Sequence, residues 1–231
     1  MKKRSILAAL AFAAALIPAY AGDVATFVNL GFSPDSAYFM FGQFGVDQTT
    51  LAPYAETYLV DNKKNDFVPN GVARKVFPKA RIEAGQDASG AFYTLFSDEV
   101  SLARKYKIDH LLPGSLLYVL LDGQEPPATL SFRDFKTGST YDIALNQKVV
   151  ETTGSVSSSF GIAITVSAKD GTVRRVTGGS PDIHRSGVKA YAIRRIVGAP
   201  DGRTLVFIIE KRLVDTSDGG IRYMVETVKL P

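Results

Sequence analysis

Cysteine is absent from this chain of 231 residues, and histidine is nearly so, with only His110 and His184 present. Without cysteine there can be no disulfide bond, no thiol nucleophile and no thiolate metal ligand. A bacterial lipoprotein needs a cysteine directly after its signal, so we expect no lipid anchor. We therefore expect an ordinary hydrophobic core to hold the fold, which a chain of this size can build without cross-links.

Several catalytic and nucleotide-binding motifs are also missing. The sequence contains no Gly-x-Ser-x-Gly motif, no Gly-Lys-Ser/Thr phosphate loop, and no His-Glu-x-x-His or calcium-loop spacing. Four serines lie between Gly154 and Gly161, and we interpret them as a solvated turn between strands. From these absences we expect no bound cofactor.

The first 21 residues are typical of a secretory signal. Lys2, Lys3 and Arg4 precede an apolar stretch, and Ala19-Tyr20-Ala21 has the small-x-small pattern of a cleavage site. The apolar stretch is shorter than the roughly 20 residues that a membrane span needs. We expect cleavage before Gly22 and a soluble protein in the periplasm or outside the cell, with no membrane anchor.

Removal of the signal changes the charge balance. The chain has 27 basic and 23 acidic residues, and the signal takes three of the basic ones, so 27 − 3 = 24 remain, a net charge of about +1. A nearly neutral exported protein is an unfavourable partner for nucleic acid. We expect no nucleic-acid binding.

Hairpin signals dominate the remaining chain, residues 22–231. Near each end a Pro-Asp turn, at Pro34-Asp35 and at Pro200-Asp201, precedes a hydrophobic strand, and each is followed by a run that contains Glu-Thr, at Glu56-Thr57 and Glu226-Thr227. The repetition suggests that the two ends lie side by side and close one sheet. We assign both aspartates to turn formation.

Two further patterns complete the fold prediction. Apolar residues at steps of three and four predict one amphipathic helix over residues 89–106, with Ser89 or Asp87 as its cap. Short strand-like runs with turns such as Asp170-Gly171 follow from Ser115 onward. The sequence therefore predicts a single, mainly β domain: an antiparallel sheet or sandwich of hairpins with one helix. Gly42 and Gly45 in an early strand suggest a bulge or a close backbone approach.

Two resemblances agree with this prediction. The Pro-Asp turns that lead into hydrophobic strands resemble the start of a blade in periplasmic propellers of the TolB type, but only in the two terminal hairpins. The whole mature chain resembles a bacterial family of predicted secreted proteins, classed as a domain of unknown function. The residues that carry this resemblance are Asn29–Ser33, Tyr38–Gly45, Tyr54–Glu56 and Ile221–Thr227. The resemblance implies an exported globular domain and brings no catalytic residues with it.

Two pairs of residues are candidates for chemistry. Asp182 and His184 are two apart, so on an extended segment they would share a face as a charge pair or as two metal ligands. Glu56 and Glu226 occupy equivalent positions in the repeated hairpins and could act as a carboxylate pair, a role that depends on their separation in space. A structural pair and a solvent-facing position, respectively, are the alternatives.

These observations favour an exported binding or structural module of the cell envelope that is not an enzyme. Its partner would be an envelope protein or a glycan. The alternative is an envelope hydrolase, with or without a metal, that uses Asp182, His184, Glu56 and Glu226.

Overall fold

The structure is a computed structural model that describes residues 23–83, 85–214 and 220–231. The predicted signal at residues 1–21 lies outside the described residues, and so do residues 215–219. Strands β1–β12 and helix α1 have the following bounds: β1 Thr26–Phe32, β2 Tyr38–Val46, β3 Pro53–Asp61, β4 Asp66–Val76, α1 Ser89–Lys105, β5 Ser115–Val119, β6 Thr129–Arg133, β7 Thr140–Thr152, β8 Ser155–Ser167, β9 Val173–Ser186, β10 Val188–Gly198, β11 Thr204–Leu213 and β12 Ile221–Lys229.

The strands form three antiparallel sheets of four strands each. The first sheet has the order β1-β2-β3-β4, the central sheet β12-β11-β10-β5, and the outer sheet β6-β7-β8-β9. For the residues that the structure describes, the prediction of a mainly β antiparallel fold with one helix is therefore confirmed. No helix within the described ranges is both long enough and apolar enough to cross a membrane.

Three hydrophobic clusters join these layers. One lies between the outer and central sheets and includes Phe160 and Phe207, and a second lies between the central and first sheets and includes Phe41 and Ile208. The third lies between the first sheet and α1. Because side chains alternate along a strand, Phe207 and Ile208 on β11 face opposite layers, which is why the central sheet is apolar on both faces.

Helix α1 packs on the first sheet through Phe92 and Leu95. Its bounds agree with the predicted helix, but its N-cap residue is Ala88, while the Asp87 carboxylate accepts a hydrogen bond from the Ser89 N–H at 2.9 Å. Gly42 is where the helix approaches, because a Cβ there would lie 2.3 Å from the Phe92 ring. The expected close approach is thus made by a side chain, and the backbone carbonyl of Glu56 also lies 2.9 Å from the same Cβ position.

The two Pro-Asp turns lie against each other, since the Asp201 N–H donates to the Ser36 hydroxyl at 3.0 Å. Asp35 accepts from Ser33 Oγ at 2.6 Å, and this hydrogen bond is the main cause that lowers its pKa. Asp201 accepts from the Thr204 N–H at 2.8 Å. Both aspartates therefore have the turn role that the sequence predicted.

The terminal hairpins do not close one sheet, and that expectation is wrong. They belong to the first and central sheets, which pack face to face and are joined at their margin by a parallel bridge between Val24 and Ile221. A repeated sequence identifies similar hairpins, but it does not determine whether they pair edge to edge or stack.

The serine-rich segment is also different from the expected turn. Ser158 and Ser159 lie within β8 and are fully buried, and Ser158 Oγ donates to the Val188 carbonyl at 2.7 Å. Burial of the outer sheet against β10 explains why the Ser158 hydroxyl is not in solvent.

Candidate functional site

A pocket of about 260 Å³ opens beside β12, the edge strand of the central sheet, where residues of all three sheets meet. We call it the edge pocket. Its walls are Phe41, Tyr58, Val60, Asn65, Asp66, Phe67, Arg74, Arg185, Lys211, Tyr223, Met224 and Val225. The volume is at the small end of ligand pockets, which are roughly 300–1,000 Å³, so it suits a small molecule or the end of a larger one.

Aromatic rings of the first sheet form one wall. The Tyr58 ring stacks on Phe41 with centroids 4.8 Å apart, and Phe67 packs on its other side at 5.4 Å. Phe67 is 45% exposed and stands at the mouth. Burial raises the pKa of Tyr58 to about 12, so the hydroxyl stays protonated and donates to Glu56 Oε2 at 2.5 Å.

Three cationic side chains reach the same pocket from three sheets. Arg74 of the first sheet forms an ion pair with Glu56 at 3.5 Å, and Arg185 of the outer sheet forms one with Glu226 at 3.7 Å. Lys211 of the central sheet is partly buried and, among the residues that the structure describes, its ammonium has no hydrogen bond and no ion pair. Within that part of the chain, Lys211 is therefore the cation of the pocket that has no anionic partner.

Burial is the main cause that lowers the pKa of Lys211. Arg185, Arg74 and Arg222 lower it further by repulsion, whereas Glu56 raises it. The ammonium thus lies in a weakly solvated and electropositive place, where an anion would be favoured.

The backbone of β12 supplies the third kind of group in the pocket. Leu213 N–H donates to the Gly220 carbonyl, and Leu230 N–H donates to the Arg203 carbonyl, so even-numbered residues of this strand bond toward β11. In an antiparallel pair, the intervening residues direct their N–H and C=O groups away from the partner strand. Among the residues of β12 that are not exposed, the odd-numbered 221, 223, 225 and 227 therefore direct their backbone groups to the open edge.

Three of these four positions have partners from the first sheet or from the segment before it. Ile221 pairs with the backbone of Asp23 and Ala25. Tyr223 N–H donates to Gln43 Oε1 at 2.7 Å, and its carbonyl accepts from Gln43 Nε2 at 3.5 Å.

The next two positions differ from each other. Thr227 N–H donates to Asn65 Oδ1 at 2.7 Å. Val225, between the two amide side chains of Gln43 and Asn65, has no hydrogen bond to either backbone group within residues 23–83, 85–214 and 220–231, and it lines the edge pocket. Buried backbone groups are nearly always paired. Val225 is an exception among the described residues, so its N–H and its C=O are available to a ligand in the pocket.

The two predicted glutamates lie behind the pocket rather than in its wall. Each binds an arginine that lines it, as described above, and Glu56 also accepts from Gln43 Nε2 at 2.6 Å. Glu226 is only 4% exposed and accepts from Asn65 Nδ2 at 2.5 Å. Burial is the main cause that raises the pKa of Glu226. Each glutamate therefore adjoins the edge pocket only through the arginine that it binds.

Asp182 and His184 are placed elsewhere, on an exposed bulge of β9. The residues between Ser180 and Arg185 have no register partner on β8, and no hydrogen bond or ion pair joins Asp182 to His184 in the described part of the chain. That part also contains no cluster of three or more His, Asp or Glu side chains suited to a metal. A catalytic or metal-binding role for this pair stays a prediction.

Lys211, Gln43 and Asn65 were not predicted from the sequence. One signal for Lys211 was available: alternation along β11 places it on the same face as Phe207 and Ile209, which are fully buried. A lysine that continues a buried row indicates a special environment. Gln43 and Asn65 gave no comparable signal.

A second cavity, of about 290 Å³, lies on the other side of Arg74 and is lined by Glu56 and Arg222. Arg222 holds the buried Asp23 carboxylate through two hydrogen bonds, at 2.9 and 2.7 Å. This pair is occupied in fixing the start of the described chain to β12, so we assign the binding role to the edge pocket.

Comparison with known proteins finds one family. The family model described as "Predicted secreted protein (DUF2259)" matches residues 40–229. No curated protein and no solved structure matches the chain. The matched range includes every residue that lines the edge pocket.

Proposed function

The chain belongs to this family of predicted secreted proteins, and from that premise we propose that it is a binding module of the cell envelope whose ligand enters the edge pocket. The observation that carries the proposal is the ammonium of Lys211, which has no partner among the described residues and lies in a pocket with aromatic walls. Its partner would be an envelope protein or a glycan, and no chemical step is needed.

The composition of the pocket supports binding. Stacked rings offer flat apolar surface to a sugar face or a side chain, and cations in a weakly solvated site attract an anionic group. Arg74 and Arg185 are held in place by Glu56 and Glu226, so the site is organised before the ligand arrives. Preorganisation of this kind reduces the entropic cost of binding.

The alternative is an envelope hydrolase that uses Glu56 and Glu226. One observation favours it: the raised pKa of Glu226 suits a general acid. However, neither carboxylate lines the edge pocket, and both are engaged by arginines and amides. Binding therefore has the stronger support.

Replacement of Phe67 tests the proposal. Phe67 is 45% exposed at the mouth of the pocket, and Phe135, which is 91% exposed after β6, provides a matched control. The experiment cross-links three proteins to an envelope fraction: wild type, Phe67→Ala and Phe135→Ala. Each is compared with a control of scrambled sequence. We expect one component to be enriched by wild type and Phe135→Ala, and lost with Phe67→Ala.

Two results would contradict the proposal. One is that no component is enriched above the scrambled control. The other is that Phe67→Ala and Phe135→Ala enrich the same component equally, because the edge pocket would then be irrelevant to capture.

A further inference from the structure

We propose that the edge pocket recognises an N-acylated amino acid with a free carboxylate, the unit found at the carboxyl terminus of a peptide. The amide of this unit pairs with the N–H and C=O of Val225, and its carboxylate binds the ammonium of Lys211. This inference rests on the proposed binding function and names its ligand class.

The amide part follows from the edge of β12. Gln43 bonds to both backbone groups of Tyr223, and Asn65 accepts the N–H of Thr227. Both are side-chain amides that occupy the place of a neighbouring strand. Val225 between them lacks such a partner, so the free position matches one amide of a ligand, bound as a single residue of added strand.

The carboxylate part follows from which cations of the edge pocket already have an ion pair. Arg74 and Arg185 are already paired with Glu56 and Glu226. Among the residues that the structure describes, this leaves the Lys211 ammonium as the cation of the pocket without a partner. One ammonium matches one carboxylate. A phosphate group with two charges would find only this one cation without an ion pair among the described residues, and burial of its second charge without a partner would be costly.

The size of the pocket supports a terminal unit. A volume of about 260 Å³ is small for a complete ligand of drug size. Phe67 and Asp66, which line the pocket, are exposed, so a longer chain can continue past them into solvent. The pocket therefore fits the end of a chain.

Three small probes test both contacts. N-acetylalanine has one amide and one carboxylate. O-acetyllactate replaces its N–H by oxygen, and N-acetylalanine methyl ester removes its charge. Titration of isotopically labelled wild-type protein, followed by NMR, reports the dissociation constant and the Val225 amide resonance. We expect N-acetylalanine to shift that resonance, O-acetyllactate to bind about threefold to tenfold more weakly, and the methyl ester to bind at least tenfold more weakly.

A lysine variant and its control separate the two contacts. Lys211→Met should abolish the preference for N-acetylalanine over its methyl ester. Lys148→Met, which removes an exposed lysine on β7, should retain it. A further arm compares N-acetylalanine with acetylated tetra-alanine: tighter binding of the tetrapeptide indicates a peptide end as the source, and weaker binding a free N-acyl amino acid.

The inference is overturned if N-acetylalanine leaves the Val225 resonance unmoved, if the three probes bind equally, or if Lys211→Met keeps the preference. Such results leave the proposed function standing when an envelope component is still captured by wild type and lost with Phe67→Ala. Failure of that capture would instead remove the proposed function itself.

Discussion

The Gln43 side chain bonds to the backbone of Tyr223 as a neighbouring strand would, accepting from its N–H at 2.7 Å and donating to its carbonyl at 3.5 Å. The two residues belong to different sheets. Gln147 of the outer sheet does the same for Tyr191 of the central sheet, at 2.7 and 2.8 Å. Side-chain amides thus connect the central sheet to both of its neighbours and limit which backbone groups remain open.

Substitution of Gln43 should destabilise the fold. Gln43 is 1% exposed, so Gln43→Met leaves the Tyr223 N–H unpaired in a buried place, and we expect a loss of about 1–3 kcal/mol in the free energy of unfolding. Urea denaturation measures it. Gln147→Met is the matched control. Because Gln147 is exposed, water can replace its hydrogen bonds, and the loss should be smaller. Equal losses would contradict this explanation.

Local features of the fold were predictable from the sequence. The spacing of Phe92, Leu95 and their neighbours gave α1, and Asp170-Gly171 gave the β8–β9 hairpin, in which Gly171 has a φ of +86°. Such signals lie within a few residues and reflect backbone geometry. The stacking of the terminal hairpins was not predictable, because it depends on which faces of distant strands bury each other.

The candidate site was predictable only in part. Glu56 and Glu226 each bind an arginine that lines the edge pocket. A catalytic role for this pair stays a prediction, and their arginine partners were not predicted from the sequence. The contact between Gln43 and Tyr223 joins residues 180 positions apart. No local pattern encodes such a contact, and the open position at Val225 is defined only by what pairs with its neighbours.

Two glycines should respond in opposite directions to the same substitution. Gly42→Ala places a methyl group 2.3 Å from the Phe92 ring, and we expect a loss of about 1–3 kcal/mol from overpacking. Gly90 is exposed within α1 with no atom near its Cβ position, so Gly90→Ala should gain about 0.5–1 kcal/mol. Thermal and urea denaturation of both variants measure this. Destabilisation by Gly90→Ala would contradict the described helix.

Replacement of Glu226 should change how stability depends on pH. Its pKa in the folded protein is raised above 4.5, mainly by burial. The folded state therefore retains a proton that the unfolded chain releases above that pH, and stability falls as pH rises through this window. Glu226→Gln removes this dependence. The unfolding free energy of the wild type, relative to the variant, should decrease as pH rises from 4.5.

The control for Glu226→Gln is Asp182→Asn, which removes an exposed carboxylate from β9. Urea denaturation at a series of pH values compares the three proteins. A wild type whose stability rises relative to Glu226→Gln over the same window would show that Asn65 and Arg185 outweigh the effect of burial.

Loss of the Asp182 and His184 side chains should have little effect. Both are exposed, so the double variant Asp182→Asn, His184→Gln should unfold within about 0.5 kcal/mol of wild type. Binding of N-acetylalanine should be unchanged, since neither residue lines the edge pocket. A deletion strain that wild type complements and this variant does not would instead support the hydrolase alternative.

Lys211→Met should stabilise the protein while it removes anion binding. The ammonium is partly buried without an ion pair, and its pKa is lowered, mainly by burial, with a contribution from repulsion by Arg185, Arg74 and Arg222. A methionine avoids this cost, and we expect a gain of about 0.5–2 kcal/mol at neutral pH, as for other stabilising substitutions.

Since the folded wild type releases this proton below the ordinary pKa of 10.5, its stability relative to the variant should recover as pH rises toward that value. Urea denaturation between pH 7 and about 10 measures the trend. A variant less stable than wild type at neutral pH would show that Lys211 supports the fold rather than a ligand.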